Sequence, residues 1–102
     1  MSSTLFPSWK EIVVFSPDGP QPQTLLETEK SKALIAGLEP GQKIPVHPEG
    51  PAIYHFLEGS GWMIVDGERL PVQPGATVVV LAGAARGMEA ETRLVFLGVR
   101  VA

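Results

Sequence analysis

The sequence predicts an all-β domain, and three observations support that fold class. The 102 residues include 11 Gly and 10 Pro, which are too many for long helices but suit short strands joined by turns. Hydrophobic residues make up 44% of the chain and charged residues 19%, as in compact globular proteins. Short apolar runs also alternate with turn residues over most of the length. At this size the chain is expected to build one core and one domain.

Residues 1–22 are predicted to form an N-terminal arm or an edge strand. Residues 12–15 are β-branched or aromatic, which favours a strand, although Ser8 and Glu11 could instead form the capping box of a short helix. Residues 17–22 contain three prolines and an Asp-Gly pair, so they cannot form regular structure. The arm is therefore expected to lie outside the barrel core.

Residues 23–102 are predicted to form the barrel domain itself. Turn residues divide them into short strands, and the Asp66-Gly67 pair between two apolar runs is the clearest hairpin signal. Strands at this spacing are typical of a sandwich or barrel rather than an α/β fold. The predicted strands are residues 25–29, 31–38, 43–47, 52–58, 61–65, 69–72, 77–81, 85–89 and 93–101.

Two of these strands are apolar on both faces, in residues 78–81 and 94–97. A sheet with one face in water should alternate apolar and polar residues, so the second face requires a cover. In so small a protein the expected cover is a second subunit, and the sequence therefore predicts a homodimer. The arm of residues 1–22, for which a small core has no room, is expected to lie across the partner.

The composition argues against several classes of partner. The net charge is −3 and the 8 Lys and Arg residues are scattered, so no nucleic-acid or membrane partner is expected. The absence of Cys excludes disulfides, thiolate metal sites and Cys nucleophiles. The N-terminal residues lack the apolar core of a signal peptide, and no apolar run is long enough to span a membrane. A cytoplasmic protein is expected.

Two segments of the chain resemble the two sequence motifs of the cupin family. The first segment lies in residues 41–68 and includes a Leu-Glu-Gly triplet at residues 57–59, and the second lies in residues 73–86. Together with their flanks they cover about residues 32–101. The resemblance implies a jelly roll, or double-stranded β-helix, that is usually dimeric and often binds a metal ion near the barrel mouth.

Most of the metal-ligand positions that the resemblance implies are filled by other residues. Metal-binding cupins generally place two His residues one apart and a Glu in the first motif, and a third His in the second. Here His47 matches the first His, whereas the other three positions hold Glu49, Ala52 and Arg86. Glu49 could supply a carboxylate in place of Ala52. Arg86 cannot be a ligand, because its guanidinium has no lone pair, and it is expected to replace the positive charge of the metal.

Each of these polar residues also has other interpretations. His47 could be a hydrogen-bonded residue of the barrel wall, a metal ligand, or a ligand-binding or acid–base group. Glu49 could be a solvated loop carboxylate or the ion-pair partner of Arg86 across the barrel mouth. Arg86 could be a surface cation, or it could recognise a carboxylate or phosphate with its planar fork. His47 and Arg86 are expected to face one cavity, since the two cupin motifs meet at the barrel mouth.

The strand of residues 52–58 adds two aromatic candidates. Tyr54 and Phe56 lie two residues apart and are expected to face the barrel, where they could pack in the core or line an apolar pocket. His55 would then point the other way, toward solvent or a subunit interface, and is a poor second metal ligand beside His47.

The sequence leaves three functions open, and it assigns no catalytic residue. The leading hypothesis is metal-independent binding of a small polar or anionic molecule in the barrel, without a cofactor. The first alternative is a metal-dependent dioxygenase or isomerase, with a divalent ion (Fe, Mn, Ni or Zn) held by His47 and Glu49. The second is a non-catalytic dimeric scaffold. Whether the protein is an enzyme stays open, because a fold does not fix an activity. The candidate ligand-binding residues are His47, Glu49, Tyr54, Phe56 and Arg86.

Overall fold

The computed structural model describes residues 4–101, which contain nine β-strands. The strands are β1 (Gln23–Glu27), β2 (Ser31–Leu38), β3 (Lys43–Pro48), β4 (Ala52–Glu58), β5 (Gly61–Val65), β6 (Glu68–Val72), β7 (Thr77–Val80), β8 (Ala85–Ala90) and β9 (Leu94–Val101). They form a five-stranded antiparallel sheet in the order β1-β2-β9-β4-β7 and a four-stranded one in the order β3-β8-β5-β6. The predicted all-β jelly roll is confirmed. Residues 1–3 of the predicted arm and residue 102 of the predicted domain lie outside the described residues.

All nine predicted strands form, and their ends differ from the predicted ends by at most two residues. The predicted hairpin joins β5 to β6, with Val65 paired to Glu68 across the turn. Its central residues, Asp66 and Gly67, have φ angles of 49° and 85°. A two-residue turn that matches the twist of its strands needs positive φ at both positions, which Asp and Gly tolerate best. The turn chemistry therefore sets this register.

The described part of the arm, residues 4–22, contains no strand, so the predicted strand at residues 12–15 is wrong. A single turn of 3-10 helix spans Trp9–Glu11 instead. The side chain of its N-cap residue, Ser8, accepts a hydrogen bond from the backbone N–H of Lys10. The β-branched and aromatic side chains that follow cover a sheet. Their backbone does not add a strand to that sheet.

Val13 and Phe15 of the arm pack on the outer face of the five-stranded sheet, over Gly37 of β2. A Cβ atom at Gly37 would lie 2.6 Å from Phe15 and 2.7 Å from Val13, so this close approach requires glycine. The Arg93 guanidinium lies 4.2 Å from the centroid of the Phe15 ring and holds the arm from the side. The chain's own arm thus covers this end of the outer face. Its predicted contact with a partner subunit stays a prediction.

The hydrophobic core lies between the two sheets and fills one end of the sandwich. Phe56 is 0% exposed, and its ring centroid lies 6.1 Å from that of Phe96. The other end of the sandwich is less completely filled and contains a cavity. No helix within residues 4–101 is long and apolar enough to cross a membrane. Buried core residues are Ala36, Leu38, Phe56, Met63, Val72, Val80, Met88, Ala90, Leu94 and Phe96.

Candidate ligand-binding site

A cavity of about 150 Å³ lies between the sheets, near the start of β2 and the end of β9. Two of its charged residues, Lys32 and Arg100, are cross-strand partners on those strands. Because they lie at strand ends, they mark the mouth of the cavity. Its ionisable residues are Lys32, His47, Glu49, Arg86 and Arg100. Its larger wall residues are Leu34, Ile44, Tyr54, Met63, Met88 and Phe96.

Arg86 lies on β8 directly across from His47 on β3, and its side chain is inside the protein. The residue is only 1% exposed. Its guanidinium donates four hydrogen bonds, all to backbone carbonyls. Nε donates to Ala84 at 3.1 Å, and Nη1 donates to Gly50 at 2.8 Å. Nη2 donates to Glu49 at 3.0 Å and to Leu81 at 3.3 Å.

These bonds give Arg86 a structural role that neither sequence interpretation included. The side chain joins the loop at Glu49 and Gly50 to the loop that contains Leu81 and Ala84. It is not a surface cation. Within residues 4–101 no carboxylate forms an ion pair with it, so the pair with the Glu49 carboxylate, one of the two interpretations of that residue, is not formed. A guanidinium has five N–H groups, which leaves one N–H on Nη1 without an acceptor among the described residues.

The Glu49 carboxylate instead bonds to two other residues of the cavity mouth. Its Oε2 lies 2.8 Å from Nε2 of His47, and its Oε1 accepts a hydrogen bond from Nη1 of Arg100. Burial raises the pKa of this carboxyl group, but the hydrogen bonds from Arg100 and His47 outweigh it, and the net pKa is below the usual value. Glu49 is therefore the anion of a small ion cluster.

Both ring nitrogens of His47 face hydrogen-bond acceptors. Nε2 faces the Glu49 carboxylate, and Nδ1 lies 2.9 Å from the carbonyl oxygen of Pro45. These two contacts hold the ring in place, and the tautomer sets which nitrogen donates in each of them. Both ring nitrogens of His47 are therefore engaged by groups of the protein itself.

The sequence match agrees with the geometry. The family model described as the cupin domain matches residues 34–99. The chain belongs to the cupin family. No curated protein matches it significantly. The matched residues include most of the cavity wall, but Lys32 and Arg100 at the mouth lie outside them.

Several solved structures resemble this cupin over nearly its whole length. A conserved protein of unknown function from Streptococcus pyogenes has a TM-score of 0.87 at 25% identity, covering 99% of this chain and 89% of that one. An RmlC-like cupin from Desulfovibrio desulfuricans has a TM-score of 0.81 at 27% identity, covering 99% and 95%. A predicted oxalate decarboxylase from Thermotoga maritima has a TM-score of 0.77 at 23% identity, covering 95% and 98%, and this likeness shows the fold alone.

The residues at the implied metal positions do not fit a metal ion. His47 and Glu49 bond to each other, Ala52 has no donor atom, and the Arg86 guanidinium lies in the same cavity. Nowhere in residues 4–101 do three or more His, Cys, Asp or Glu side chains come together as a metal site requires. A second cation beside Arg86 would also be repelled. The cavity of this cupin has the Arg86 guanidinium in its wall instead of a set of metal ligands.

The structure brings four of the five predicted site residues to one cavity. His47, Glu49, Tyr54 and Arg86 line it, whereas Phe56 lies in the core cluster behind Phe96 and is not among the lining residues. His47 and Arg86 share the cavity, as the motif positions predict. His55 lies outside it, with Nδ1 2.7 Å from the hydroxyl oxygen of Thr77 on the neighbouring strand.

Sequence reasoning missed Lys32 and Arg100. Side chains alternate between the two faces of a strand, so Lys32 faces inward on β2 like Leu34. On β9, Arg100 faces inward like Phe96. The run of apolar residues in β9 concealed this alternation. A two-residue period counted backward from the end of that strand would have indicated Arg100 as an inward-facing cation.

Proposed function

We propose that this cupin binds a small anionic molecule in its barrel cavity without a metal ion. The observation that supports it is the buried Arg86, which lines the cavity and has no counter-ion among the described residues. Backbone carbonyls satisfy most of its hydrogen bonds, but they do not neutralise its charge. A buried charge without a partner is costly, and an anion in the cavity would supply that partner.

The charge balance of the cavity supports the same proposal. Three cationic side chains line it, from Lys32, Arg86 and Arg100, against one carboxylate, from Glu49. The whole chain has a net charge of −3, so this local excess of positive charge is opposite in sign to the rest of the protein. Lys32 has no ion-pair partner in residues 4–101 and is available to a ligand. Cations that converge on a partly enclosed site attract anions more strongly than scattered ones.

Binding is favoured over catalysis because the usual acid–base group is engaged. Both nitrogens of His47 are hydrogen-bonded within the protein, and Glu49 is held by His47 and Arg100. His47 would have to give up one of these contacts before a ring nitrogen could exchange a proton with a substrate. A cytoplasmic location, without nucleic-acid or membrane partners, belongs to the same proposal and rests on the sequence.

We also propose that two copies pair through the outer face of the five-stranded sheet. One row of paired apolar residues crosses all five strands of that sheet, and within it Ile53 is 45% and Val79 is 65% exposed. Five strands span about 24 Å, which gives a broad, flat surface that an identical surface related by a two-fold axis could match. The row consists of Leu26, Ala33, Val99, Ile53 and Val79.

Melting temperatures of metal-free protein test the ligand proposal. Benzoate, oxalate and phosphate would each be added at constant ionic strength, with chloride as the reference. A bound anion raises the melting temperature in a saturable way. The rise should shrink in Lys32→Gln and Arg100→Gln but persist in Lys43→Gln and Arg69→Gln, whose charges lie on the outer surface beside Glu89. If no anion raises the melting temperature, the proposal fails and the scaffold alternative is favoured.

A further inference from the structure

The cavity is polar at one end and apolar at the other. Its ionisable residues lie at the mouth, near the ends of β2 and β9. Beyond them Leu34, Ile44, Met63 and Met88 line the interior, and none of these side chains offers a hydrogen bond of ordinary strength. A ligand that fits this division has one charged end and an apolar body.

The apolar wall argues against sugars, polyols and nucleotides. Their hydroxyl groups would lose hydrogen bonds to water and find few replacements among aliphatic side chains. The exception is Tyr54, which lines the cavity and whose hydroxyl has no hydrogen-bond partner among the described residues. The Tyr54 hydroxyl can hydrogen-bond to one polar group of a ligand. That is too few for a sugar or polyol but enough for a ligand with a single polar end.

The volume limits the size of the apolar body. The cavity holds about 150 Å³. An apolar cavity of about that volume in another protein binds benzene. The part of a ligand that lies inside the cavity is therefore about the size of one aromatic ring or a branched chain of similar volume. The rings of Tyr54 and Phe96, whose centroids lie 5.8 Å apart, add aromatic surface to the wall.

The charged end is matched to a carboxylate. Arg100 already binds one carboxylate, that of Glu49, through Nη1. Arg86 has a remaining N–H on Nη1, and Lys32 has no protein partner among the described residues. A planar carboxylate accepts hydrogen bonds from such groups at two oxygens. Because the cations all lie at one end of the cavity, a second carboxylate at the far end of a ligand would be buried without a partner.

We infer that the ligand of this cavity is a monocarboxylate with a compact apolar body about the size of one benzene ring. The inference rests on the proposed anion-binding function and narrows it to a chemical class. The carboxylate binds between Lys32, Arg86 and Arg100, and the body fills the space lined by Leu34, Met63 and Phe96.

Calorimetric titration of metal-free protein with four related probes tests this class. Benzoate has both features. Acetate has the carboxylate without the body, benzyl alcohol has the body without the charge, and 2-naphthoate has a body too large for the cavity. Benzoate should bind one molecule per chain, at least about tenfold more tightly than each of the other three. In Lys32→Gln and Arg100→Gln the affinity for benzoate should fall roughly five- to tenfold, with no change in Lys43→Gln or Arg69→Gln.

The outcomes distinguish a failure of the chemical class from a failure of the anion-binding proposal. If oxalate or phosphate binds in a manner that depends on Lys32 and Arg100 while benzoate does not, the chemical class is wrong and the anion-binding proposal stands. If benzyl alcohol binds as tightly as benzoate, the charged end has no role and the inference fails. If none of these compounds binds to correctly folded protein, the proposed function itself fails.

Discussion

His47 and Arg86 are cross-strand partners on β3 and β8, and both bind Glu49, one at its carboxylate and the other at its backbone carbonyl. The two motifs of the cupin family thus meet at a single loop residue. At the position where the resemblance implies a third histidine ligand, this chain has Arg86, whose guanidinium bonds to the loops around it. This arrangement leads to the predictions below.

Replacing Arg86 with Met should destabilise the protein by roughly 2–5 kcal/mol. Four part-buried hydrogen bonds between the two loops would be lost, and the carbonyls of Gly50 and Ala84 would lose their donor, whereas those of Glu49 and Leu81 keep a backbone N–H. Arg86→Lys should also be destabilising, since an ammonium cannot reproduce the planar fork. Urea unfolding measures both effects. The control is Lys43→Met, at a cation whose side chain is 67% exposed, which should change the unfolding free energy by no more than about 0.5 kcal/mol. An equally small effect for Arg86→Met would show that the loops do not depend on it.

Glu49 should make the stability depend on pH in the acid range. Its pKa is lowered in the folded protein, because hydrogen bonds from Arg100 and His47 outweigh the effect of burial. Its contribution is therefore present above the unfolded-state pKa and is lost as pH falls through the lower folded-state pKa. The advantage of the wild type over Glu49→Gln should shrink as the pH falls below the ordinary Glu pKa of about 4.3.

Removing one of the charges beside Glu49 provides a control for this pH dependence. His47 and Arg100 face the carboxylate, Arg86 bonds to the backbone carbonyl of the same residue, and Lys32 lines the same cavity. In an Arg100→Gln background the pH-dependent advantage of Glu49 should be smaller, by less than about 1 kcal/mol for this partly exposed pair. A difference that does not vary with pH in either background would contradict the ion cluster.

The protein should carry no tightly bound transition metal. Its ligand positions hold Ala52 and Arg86, and its two remaining donors, His47 and Glu49, bond to each other. Treatment with a chelator should leave the melting temperature unchanged. Elemental analysis of untagged protein after dialysis gives the independent check. One equivalent of Fe, Mn, Ni or Zn, absent from His47→Ala, would support the metal-dependent enzyme instead.

The chain should be a dimer at micromolar concentration, with twice the mass of 10.9 kDa of one chain. Burial of the apolar row on the outer face of the five-stranded sheet is the driving force. Val79→Asp should produce a single chain, because it places a charge in the exposed apolar face. Ile64→Asp, on the outer face of the other sheet, is the control and should stay dimeric. Light scattering after size exclusion measures the mass, and a wild type of one chain's mass would refute the prediction.

Local chemistry predicted the strands because their ends are set by residues close in sequence. Turn residues such as Asp66 and Gly67 fix where strands stop, and alternation fixes which side chains face inward. The same local signals failed at residues 12–15. β-branched and aromatic residues there indicate that their side chains are buried. Val13 and Phe15 are partly buried by packing over Gly37, and the backbone of this segment does not join a sheet.

The candidate site was predicted only in part because its contacts join distant strands. His47, Glu49 and Arg86 could be found from the cupin motifs, which place them at the barrel mouth. The bond between Glu49 and Arg100 depends on how β9 lies beside β2 and β4, which no local pattern specifies. The same holds for the four carbonyls around Arg86, since they become neighbours only when two loops meet.

Arginine side-chain signals in a nuclear magnetic resonance titration test the central claim most directly. Metal-free protein labelled with nitrogen-15 would be titrated with benzoate at constant ionic strength, and the Nε–H signals of its arginines followed. The signals of Arg86 and Arg100 should move along one saturable curve, while those of Arg69 and Arg93, on the outer surface, stay in place. If the signals of Arg86 and Arg100 move no more than the other two with benzoate, oxalate and phosphate alike, the cavity is not an anion-binding site.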